Sequence, residues 1–158
     1  MDAAEQPSGQ HTVTDLAGLV ALVGASLGHS EWTQMTQQRV DGFADLTGDH
    51  NFIHVDVERA SETRFGGTIA HGFLTLSLLA PFTQRLDVTD AALRINYGLD
   101  RVRFPAPLPV GARFRITATI IEVTPLEGGA QVKLAASIEV EGQAKPALAA
   151  ECLLRYYA

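Results

Sequence analysis

The 158-residue sequence has a single cysteine, little positive charge and no long uninterrupted apolar run, and each scarcity excludes a class of protein. Cys152 alone cannot form a disulfide framework or a thiolate metal cage. Twelve basic and 18 acidic residues give a formal charge of −6, which argues against a nucleic-acid or anionic-membrane partner. Leu16–Gly28 is too short to span a bilayer, and Ile69–Gln84 is interrupted by His71, Pro81 and hydroxyl side chains.

Several functional motifs are also missing. No GxGxxG follows a predicted strand, and Ser77 has no GxSxG around it, so neither a dinucleotide loop nor a hydrolase nucleophile is predicted. The amino terminus is polar and acidic, without the basic start and apolar stretch of a signal peptide. A composition of 46% hydrophobic and 19% charged residues is globular. We expect a soluble, cytoplasmic protein with a flexible tail over residues 1–13 and one domain over residues 14–158.

Two helices are predicted in the first half of the chain from their capping residues. Gln37–Thr47 carries apolar residues on one helical face, with Thr36 as N-cap and Gly48 where a C′ glycine belongs. Asp56 is placed to cap a short helix over Val57–Glu62.

The most apolar helix candidate is Ile69–Leu86, whose apolar residues run nearly all round and therefore predict burial on most sides. A continuous helix over this range would be about 27 Å long. Pro81 is expected to kink it or to mark its end.

The second half of the chain changes to the period of two that strands require. Arg113–Val123 and Gln131–Val140 alternate apolar and polar residues, and Glu127-Gly128-Gly129 between them predicts a hairpin connection. Leu93–Phe104 and Leu148–Tyr157 are further predicted strands. Consecutive antiparallel strands and one buried helix predict an α+β fold in which a sheet wraps a long central helix.

The stretch TGDHNFIH, residues 47–54, concentrates an acid, an amide and two histidines just after a predicted helix end. If Asp49 and His54 face one cavity, they can hold a water molecule and move protons to and from it, and Asn51 can orient the carboxylate or the substrate. The alternative is ordinary turn chemistry, since an acid after a glycine is common in turns. His50 and His54 form an HxxxH pair, but they lie beyond the helix-ending glycine, so no metal is predicted.

His71 and Gly72 stand near the start of the predicted central helix, where backbone N–H groups are unpaired. A glycine there lets a ligand approach the backbone closely. The pair therefore predicts an oxyanion site for a carbonyl that gains charge during reaction. The alternative is that Gly72 only permits close packing of the helix on the sheet.

Two segments resemble a known family. FADLTGDHNFIHVDVERASETRFGGTIAHGFLTLSLL, residues 43–79, resembles the signature of the MaoC-like (R)-specific enoyl-CoA hydratases, which are hotdog-fold proteins. INYGLDRVRFPAPLPVGARFR, residues 95–115, resembles the branch with nodulation protein N-like and mycobacterial 3-hydroxyacyl-thioester dehydratases. The resemblance covers the chain from about Thr36 onward and implies a single hotdog domain.

By position, the resemblance implies that Asp49 and His54 are the catalytic pair. It assigns a supporting role to Asn51 and His71 and makes the N–H of Gly72 the oxyanion donor. Phe52 stands where many members have proline, which would preset the backbone. We expect the packing of Phe52 to fix the loop instead.

The activity implied is (R)-specific hydration of a trans-2-enoyl-CoA to the (R)-3-hydroxyacyl-CoA, and the reverse dehydration, which makes the protein a hydro-lyase. Water adds at C3 and a proton at C2, while charge on the thioester oxygen is met at Gly72. Which of Asp49 and His54 acts as base and which as acid stays open. No metal or redox cofactor is implied, and coenzyme A enters only as part of the substrate.

The resemblance also implies substrate contacts and a homodimer formed through the sheets. Candidate contacts for the acyl tail are apolar residues of the central helix: Phe73, Leu76 and Leu79. Candidate contacts for the phosphates of coenzyme A are arginines on two strand faces: Arg101 and Arg103 on one, Arg113 and Arg115 on the other. The alternatives are that the former are simply core and the latter solvated.

Two other functions are compatible with the fold. A hotdog thioesterase would act on the same class of substrate, but it normally needs an activating carboxylate on or near the central helix, and Ile69–Gln84 contains neither Asp nor Glu. A non-catalytic acyl-binding or assembly subunit would be expected to have lost Asp49 or His54, and both are present.

Overall fold

Antiparallel strands make up most of the second half of the chain in a computed structural model that describes residues 11–158. The strands are β1 (Thr12–Thr14), β2 (Ser26–His29), β3 (Thr33–Gln34), β4 (Leu86–Val88), β5 (Leu93–Arg103), β6 (Arg113–Leu126), β7 (Gly129–Val140) and β8 (Leu148–Tyr157). The helices are α1 (Gln37–Thr47), α2 (Phe52–Val55), α3 (Val57–Ser61), α4 (Gly72–Ser77) and α5 (Leu79–Phe82), and 3-10 helices occupy Gly18–Leu22 and Thr83–Arg85.

The main sheet has six strands in the order β2-β6-β7-β8-β5, with β3 also paired to β6. All of its pairings are antiparallel. β6 and β7 form the predicted hairpin, in which Leu126 pairs with Gly129. Gly128 in the turn has a φ of 71°, a left-handed conformation that glycine adopts without steric cost. β1 and β4 form a separate parallel pair.

One face of the sheet is buried against the helices, as the alternation predicts. The apolar residues that the alternation places on one face of β6 and β7 are all buried: Phe114, Ile116, Ala118, Ile120, Val132, Leu134, Ala136, Ile138 and Val140. They share one core cluster with Leu74, Leu79 and Phe82 of α4 and α5. The α+β class, with an antiparallel sheet around a central helical segment, is therefore confirmed.

Helix α1 has the predicted bounds and both predicted caps. The hydroxyl of Thr36 accepts a hydrogen bond from the N–H of Arg39 at 3.3 Å, and Gly48 ends the helix with a φ of 78°. Asp56 likewise caps α3, accepting from the N–H of Arg59 at 3.1 Å. The segment with the acid and the histidines is thus held between two capped helices.

The predicted helix over Ile69–Leu86 is shorter than expected and is interrupted, as Pro81 led us to expect. Helical backbone begins at Gly72 and is divided into α4 and α5 at Leu78, and a 3-10 helix and strand β4 follow. The physical reason is Pro81, which has no N–H to donate to the carbonyl of Ser77 and so removes a hydrogen bond that a continuous helix needs.

The predicted tail over residues 1–13 lies mostly outside the described residues. Within them, Thr12–Thr14 forms β1 and pairs with β4, so regular structure begins before the predicted boundary. None of the helices in residues 11–158 is long and apolar enough to cross a membrane. The cytoplasmic location stays a prediction.

Candidate active site

The loop after α1 leads to a buried side chain, His54, and carries an exposed one, Asp49. Asp49 accepts a hydrogen bond from the N–H of Asn51 through Oδ1 at 3.4 Å. Asn51 then caps α2, accepting from the N–H of Ile53 at 3.4 Å, while its carbonyl accepts from the N–H of His54 at 2.9 Å. These two successive turns bury His54 and keep Asp49 exposed.

Phe52 is the first residue of α2, the helical position at which proline is favoured. This explains why a proline and a phenylalanine can exchange here, since the backbone N–H at this position is unpaired within the helix. The half-buried Phe52 ring lies 4.2 Å from the guanidinium carbon of Arg59. The cap at Asn51 and this contact hold the backbone that proline would preset.

His54 is only 8% exposed, and one short hydrogen bond fixes its ring. Its Nδ1 lies 2.7 Å from the carbonyl oxygen of Ile69. A carbonyl can only accept, so Nδ1 carries the hydrogen and the neutral ring has its lone pair on Nε2.

The surroundings lower the pKa of His54 below its ordinary value of 6.5. Burial is the largest cause, and the nearby His71 lowers the pKa further, while the bond to Ile69 and the charge of Asp49 oppose them. His54 is therefore a neutral imidazole at pH 7, with a basic Nε2.

His71, the residue before α4, lies directly against His54. The two ring centroids are 3.8 Å apart and the planes differ by 29°, a stacked arrangement. The Nε2 of His71 lies 2.9 Å from the backbone carbonyl oxygen of Asp49. His71 is 2% exposed, and its Nδ1 has no hydrogen-bond partner within residues 11–158. The predicted site residues Asp49, His54 and His71 are thus brought together.

Gln37, in the first turn of α1, supports this arrangement although no pattern predicted it. Its amide nitrogen donates to the carbonyl of His54 at 2.8 Å and to a carboxylate oxygen of Asp41 at 2.7 Å. Its amide oxygen accepts from the hydroxyl of Thr68 at 2.6 Å. Glutamine is common in helices, so nothing local in the sequence marks this residue.

A cavity of about 390 Å³ opens beside His54. Gly72 lines it as the first residue of α4, where a helix leaves N–H groups unpaired. A Cβ at Gly72 would lie 3.2 Å from the ring of Phe104, so any larger residue would have to displace that ring. The cavity is otherwise mainly apolar, and Arg64 is the charged residue among those that line it.

Asp49, His54 and His71 have the kinds of donor atom that a metal centre uses, but the two imidazole rings are stacked. A carboxylate oxygen of Asp49 and one ring nitrogen each of His54 and His71 all lie within 4.8 Å of one another. Imidazole lone pairs lie in the ring plane, and the planes of the stacked rings run side by side. Zinc ligation about 2 Å from each nitrogen would require the two rings to turn out of this stack. The arrangement favours proton handling, and the absence of a metal stays a prediction.

The predicted substrate contacts lie in different places. Phe73 is 75% exposed and lines neither of the two cavities beside α4. Leu76 and Leu79 line a smaller cavity of about 140 Å³ against β5 and β8. Arg101 and Arg103 line a separate cavity over β7 and β8. The substrate-binding roles of these residues stay predictions.

The other predicted arginines are already neutralised. Arg113 forms an ion pair at 3.1 Å with Glu141, the residue after β7, and Arg115 forms one at 2.7 Å with Glu139 of β7. These pairs support the alternative that this strand face is solvated.

An antiparallel sheet around a central helical segment, with an acid and a histidine gathered at the start of that segment, defines the hotdog-fold class. Within this class the sequence matches the MaoC like domain over residues 19–142, and the chain belongs to that family. The resemblance found in the sequence is confirmed.

Named relatives agree with this assignment. The chain is 49% identical over 149 residues to 3-hydroxyacyl-thioester dehydratase Z of Mycobacterium tuberculosis (strain ATCC 25618 / H37Rv), covering 93% of this chain and 99% of that protein. It is 44% identical over 140 residues to nodulation protein N of Rhizobium leguminosarum bv. viciae, covering 85% and 86%. The structure of an (R)-hydratase from A. caviae involved in PHA biosynthesis aligns with a TM-score of 0.68 and 27% identity, covering 84% of this chain and 94% of that chain.

Proposed function

We propose that the protein is a hydro-lyase that interconverts trans-2-enoyl-CoA and (R)-3-hydroxyacyl-CoA. The observation that carries this proposal is the buried, neutral His54, whose free nitrogen is Nε2, beside the Asp49 carboxylate and the cavity that Gly72 lines. The similarity to a 3-hydroxyacyl-thioester dehydratase and to an (R)-hydratase supports the reaction and its stereochemistry.

In hydration, Nε2 of His54 accepts a proton from a water molecule whose oxygen adds to C3 of the enoyl thioester. Asp49 accepts a hydrogen bond from the second O–H of that water and stabilises the imidazolium that forms. The electron pair of the double bond moves through C2 to the thioester oxygen, where the N–H of Gly72 donates a hydrogen bond. The imidazolium then gives its proton to C2. Water has been added without any change of net oxidation state, so we propose that neither a metal nor a redox cofactor takes part.

The two cavities beside α4 divide the substrate between them in this proposal. The reacting thioester occupies the larger one, which contains His54 and Gly72. The acyl tail extends toward the smaller cavity, where Leu76 and Leu79 supply an apolar wall.

Arg64 is the residue we propose for the phosphates of the carrier, in place of the predicted strand arginines. It lines the cavity that contains His54, is exposed, and forms no ion pair with any of residues 11–158. Its guanidinium carbon lies 5.0 Å from the ring centroid of Phe65, a contact that favours one orientation. A guanidinium group binds phosphate through two parallel hydrogen bonds.

We also propose a homodimer that forms along β5. Within residues 11–158 this strand pairs only with β8, so one edge has unpaired backbone groups. Leu93, Ile95 and Tyr97 on this strand are 52%, 38% and 54% exposed. A second copy would pair that edge and cover these side chains. Sedimentation velocity of Leu93→Lys, with Val13→Lys on β1 as control, tests this, and a monomeric wild type would exclude it.

The function itself is tested by hydration of crotonyl-CoA, followed through the loss of enoyl-thioester absorbance, with chiral analysis of the product. We expect wild-type activity that yields the (R) alcohol and falls by at least about 100-fold in folded Asp49→Asn and His54→Gln variants. Release of free thiol without hydration, from this substrate and a longer enoyl-CoA, would instead establish a thioesterase. Binding without turnover would establish an acyl-binding subunit.

A further inference from the structure

His71 joins three parts of the site that lie apart in the sequence. Its Nε2 is 2.9 Å from the carbonyl oxygen of Asp49 in the loop after α1. Its ring stacks on His54 of α2 at 3.8 Å. Its own carbonyl carbon is bonded to the nitrogen of Gly72, the first residue of α4. A displacement of His71 therefore moves the acid, the imidazole and the oxyanion donor relative to one another.

The backbone of His71 is itself held firmly. Its carbonyl oxygen accepts hydrogen bonds from the N–H of Thr75 at 2.9 Å and from the Thr75 hydroxyl at 3.0 Å. The ring also contacts Phe43 of α1, with centroids 5.0 Å apart and planes tilted by 50°. The residue is thus anchored to α4 and contacts both α1 and α2.

The hydrogen bonds of the His71 ring indicate that this side chain does more than pack against its neighbours. The carbonyl of Asp49 can only accept, so Nε2 of His71 carries the hydrogen. In the neutral ring Nδ1 is then a buried acceptor without a partner among residues 11–158, which costs stability. An apolar side chain of similar size would fill the space without this cost, so the imidazole has a role that an apolar residue cannot perform.

We propose that His71 is the positioning residue of the site, which sets the Asp49 loop and the His54 ring against the oxyanion donor. This inference rests on the proposed function of Asp49 and His54. The family resemblance gives His71 a supporting role but assigns it no contact with Asp49 or His54.

The electrostatics agree with the geometry. The titratable groups that face His54 are His71 and Asp49, and Arg64 lines the same cavity. His71 is one of the groups that lower the pKa of His54, because a positive charge on both stacked rings is unfavourable. Removing the imidazole of His71 is therefore expected to raise the pKa of His54.

Two substitutions of His71 test its hydrogen bond to Asp49 and its stacking on His54 separately. His71→Gln keeps an N–H donor for the carbonyl of Asp49 and loses the stacked ring. His71→Phe keeps a ring against His54 and loses the donor. His50→Asn is the matched control, because His50 lies in the same loop but is exposed and contacts Asp45, at 3.8 Å. Thermal denaturation selects the variants that fold.

Each variant is measured by the kcat and KM for crotonyl-CoA hydration and by NMR titration of the His54 ring. We expect a kcat lowered about tenfold to 100-fold in both His71 variants, with KM changed less than about threefold. We expect the titration of His54 at higher pH in His71→Gln than in wild type, and no change in either measurement in His50→Asn. A folded His71→Gln with wild-type kcat and an unshifted His54 titration would overturn the proposal.

The NMR measurement does not depend on the reaction. Suppose that wild type hydrates no enoyl-CoA but that His54 still titrates at higher pH in His71→Gln than in wild type. The proposed function would then be refuted, whereas the coupling of the two histidines would be supported. If wild type is active and both His71 variants keep its kcat, the function stands and the positioning role falls.

Discussion

The amide nitrogen of Gln37 donates a hydrogen bond to the backbone carbonyl of His54 at 2.8 Å, which ties the first turn of α1 to the buried histidine. The same side chain accepts from the hydroxyl of Thr68 at 2.6 Å. One glutamine therefore connects α1, α2 and the segment that leads into α4.

Replacement of this glutamine tests how strongly the connection stabilises the site. In Gln37→Ala the carbonyl of His54 and the hydroxyl of Thr68 lose their partner, so we expect a loss of about 1–3 kcal/mol in the free energy of unfolding. Urea denaturation measures it, with the adjacent exposed residue changed in Gln38→Ala as the control. Equal stability of the two variants would show that water replaces the glutamine without cost.

The lowered pKa of His54 predicts a dependence of stability on pH. The unfolded chain takes up the proton near the ordinary value of 6.5, whereas the folded chain takes it up only at lower pH. The unfolded state thus binds more protons between the two values, and stability falls as pH falls through 6.5 and levels off below the folded pKa. The free energy of unfolding, measured from pH 8 to about pH 5, is expected to show a smaller decrease in His54→Gln. Parallel curves would contradict the lowered pKa.

The phosphate role of Arg64 predicts a selective effect on substrates that carry phosphate. In Arg64→Gln the KM for crotonyl-CoA is expected to rise about threefold to tenfold, because the residue is exposed and its interaction is screened. The KM for crotonyl-pantetheine, which has no phosphate, is expected to stay unchanged. Arg39→Gln is the control, as an exposed arginine on α1 that does not line the cavity. An equal rise in KM for both substrates would show that Arg64 does not act through the phosphates of the carrier.

Replacement of Gly72 by alanine is expected to lower activity without a matching loss of stability. A methyl group there would lie 3.2 Å from the ring of Phe104, which is 45% exposed and can shift by a few tenths of an ångström. Alanine is also the better helix former by about 1 kcal/mol, which offsets the crowding. We expect Gly72→Ala to unfold near the wild-type temperature and to lose at least about tenfold in kcat/KM, since the methyl group obstructs approach to the N–H.

Gly67→Ala is the comparison for this variant, because a Cβ there meets nothing within 4 Å and Gly67 lies outside the cavity lining. Full activity of Gly72→Ala would remove Gly72 as the oxyanion donor.

Local sequence patterns determined much of the fold. The caps at Thr36, Gly48 and Asp56 fix helix ends through hydrogen bonds and backbone conformations that involve only neighbouring residues. The alternation along β6 and β7 fixes which face is buried, because successive side chains in a strand point to opposite sides. The motif with Asp49, Asn51 and His54 was recognisable in the sequence because its residues lie within six positions of one another.

Contacts between residues that lie far apart in the chain could be seen only in the tertiary structure. The tautomer of His54 is set by the carbonyl of Ile69, and the stack on His71 and the bond from Gln37 join residues 17 apart in the chain. The separation of Arg101 from the cavity of Arg64 was equally invisible in the sequence. Periodicity reports which face of an element is buried, but only packing selects which buried groups meet and which of their nitrogen atoms carries the proton.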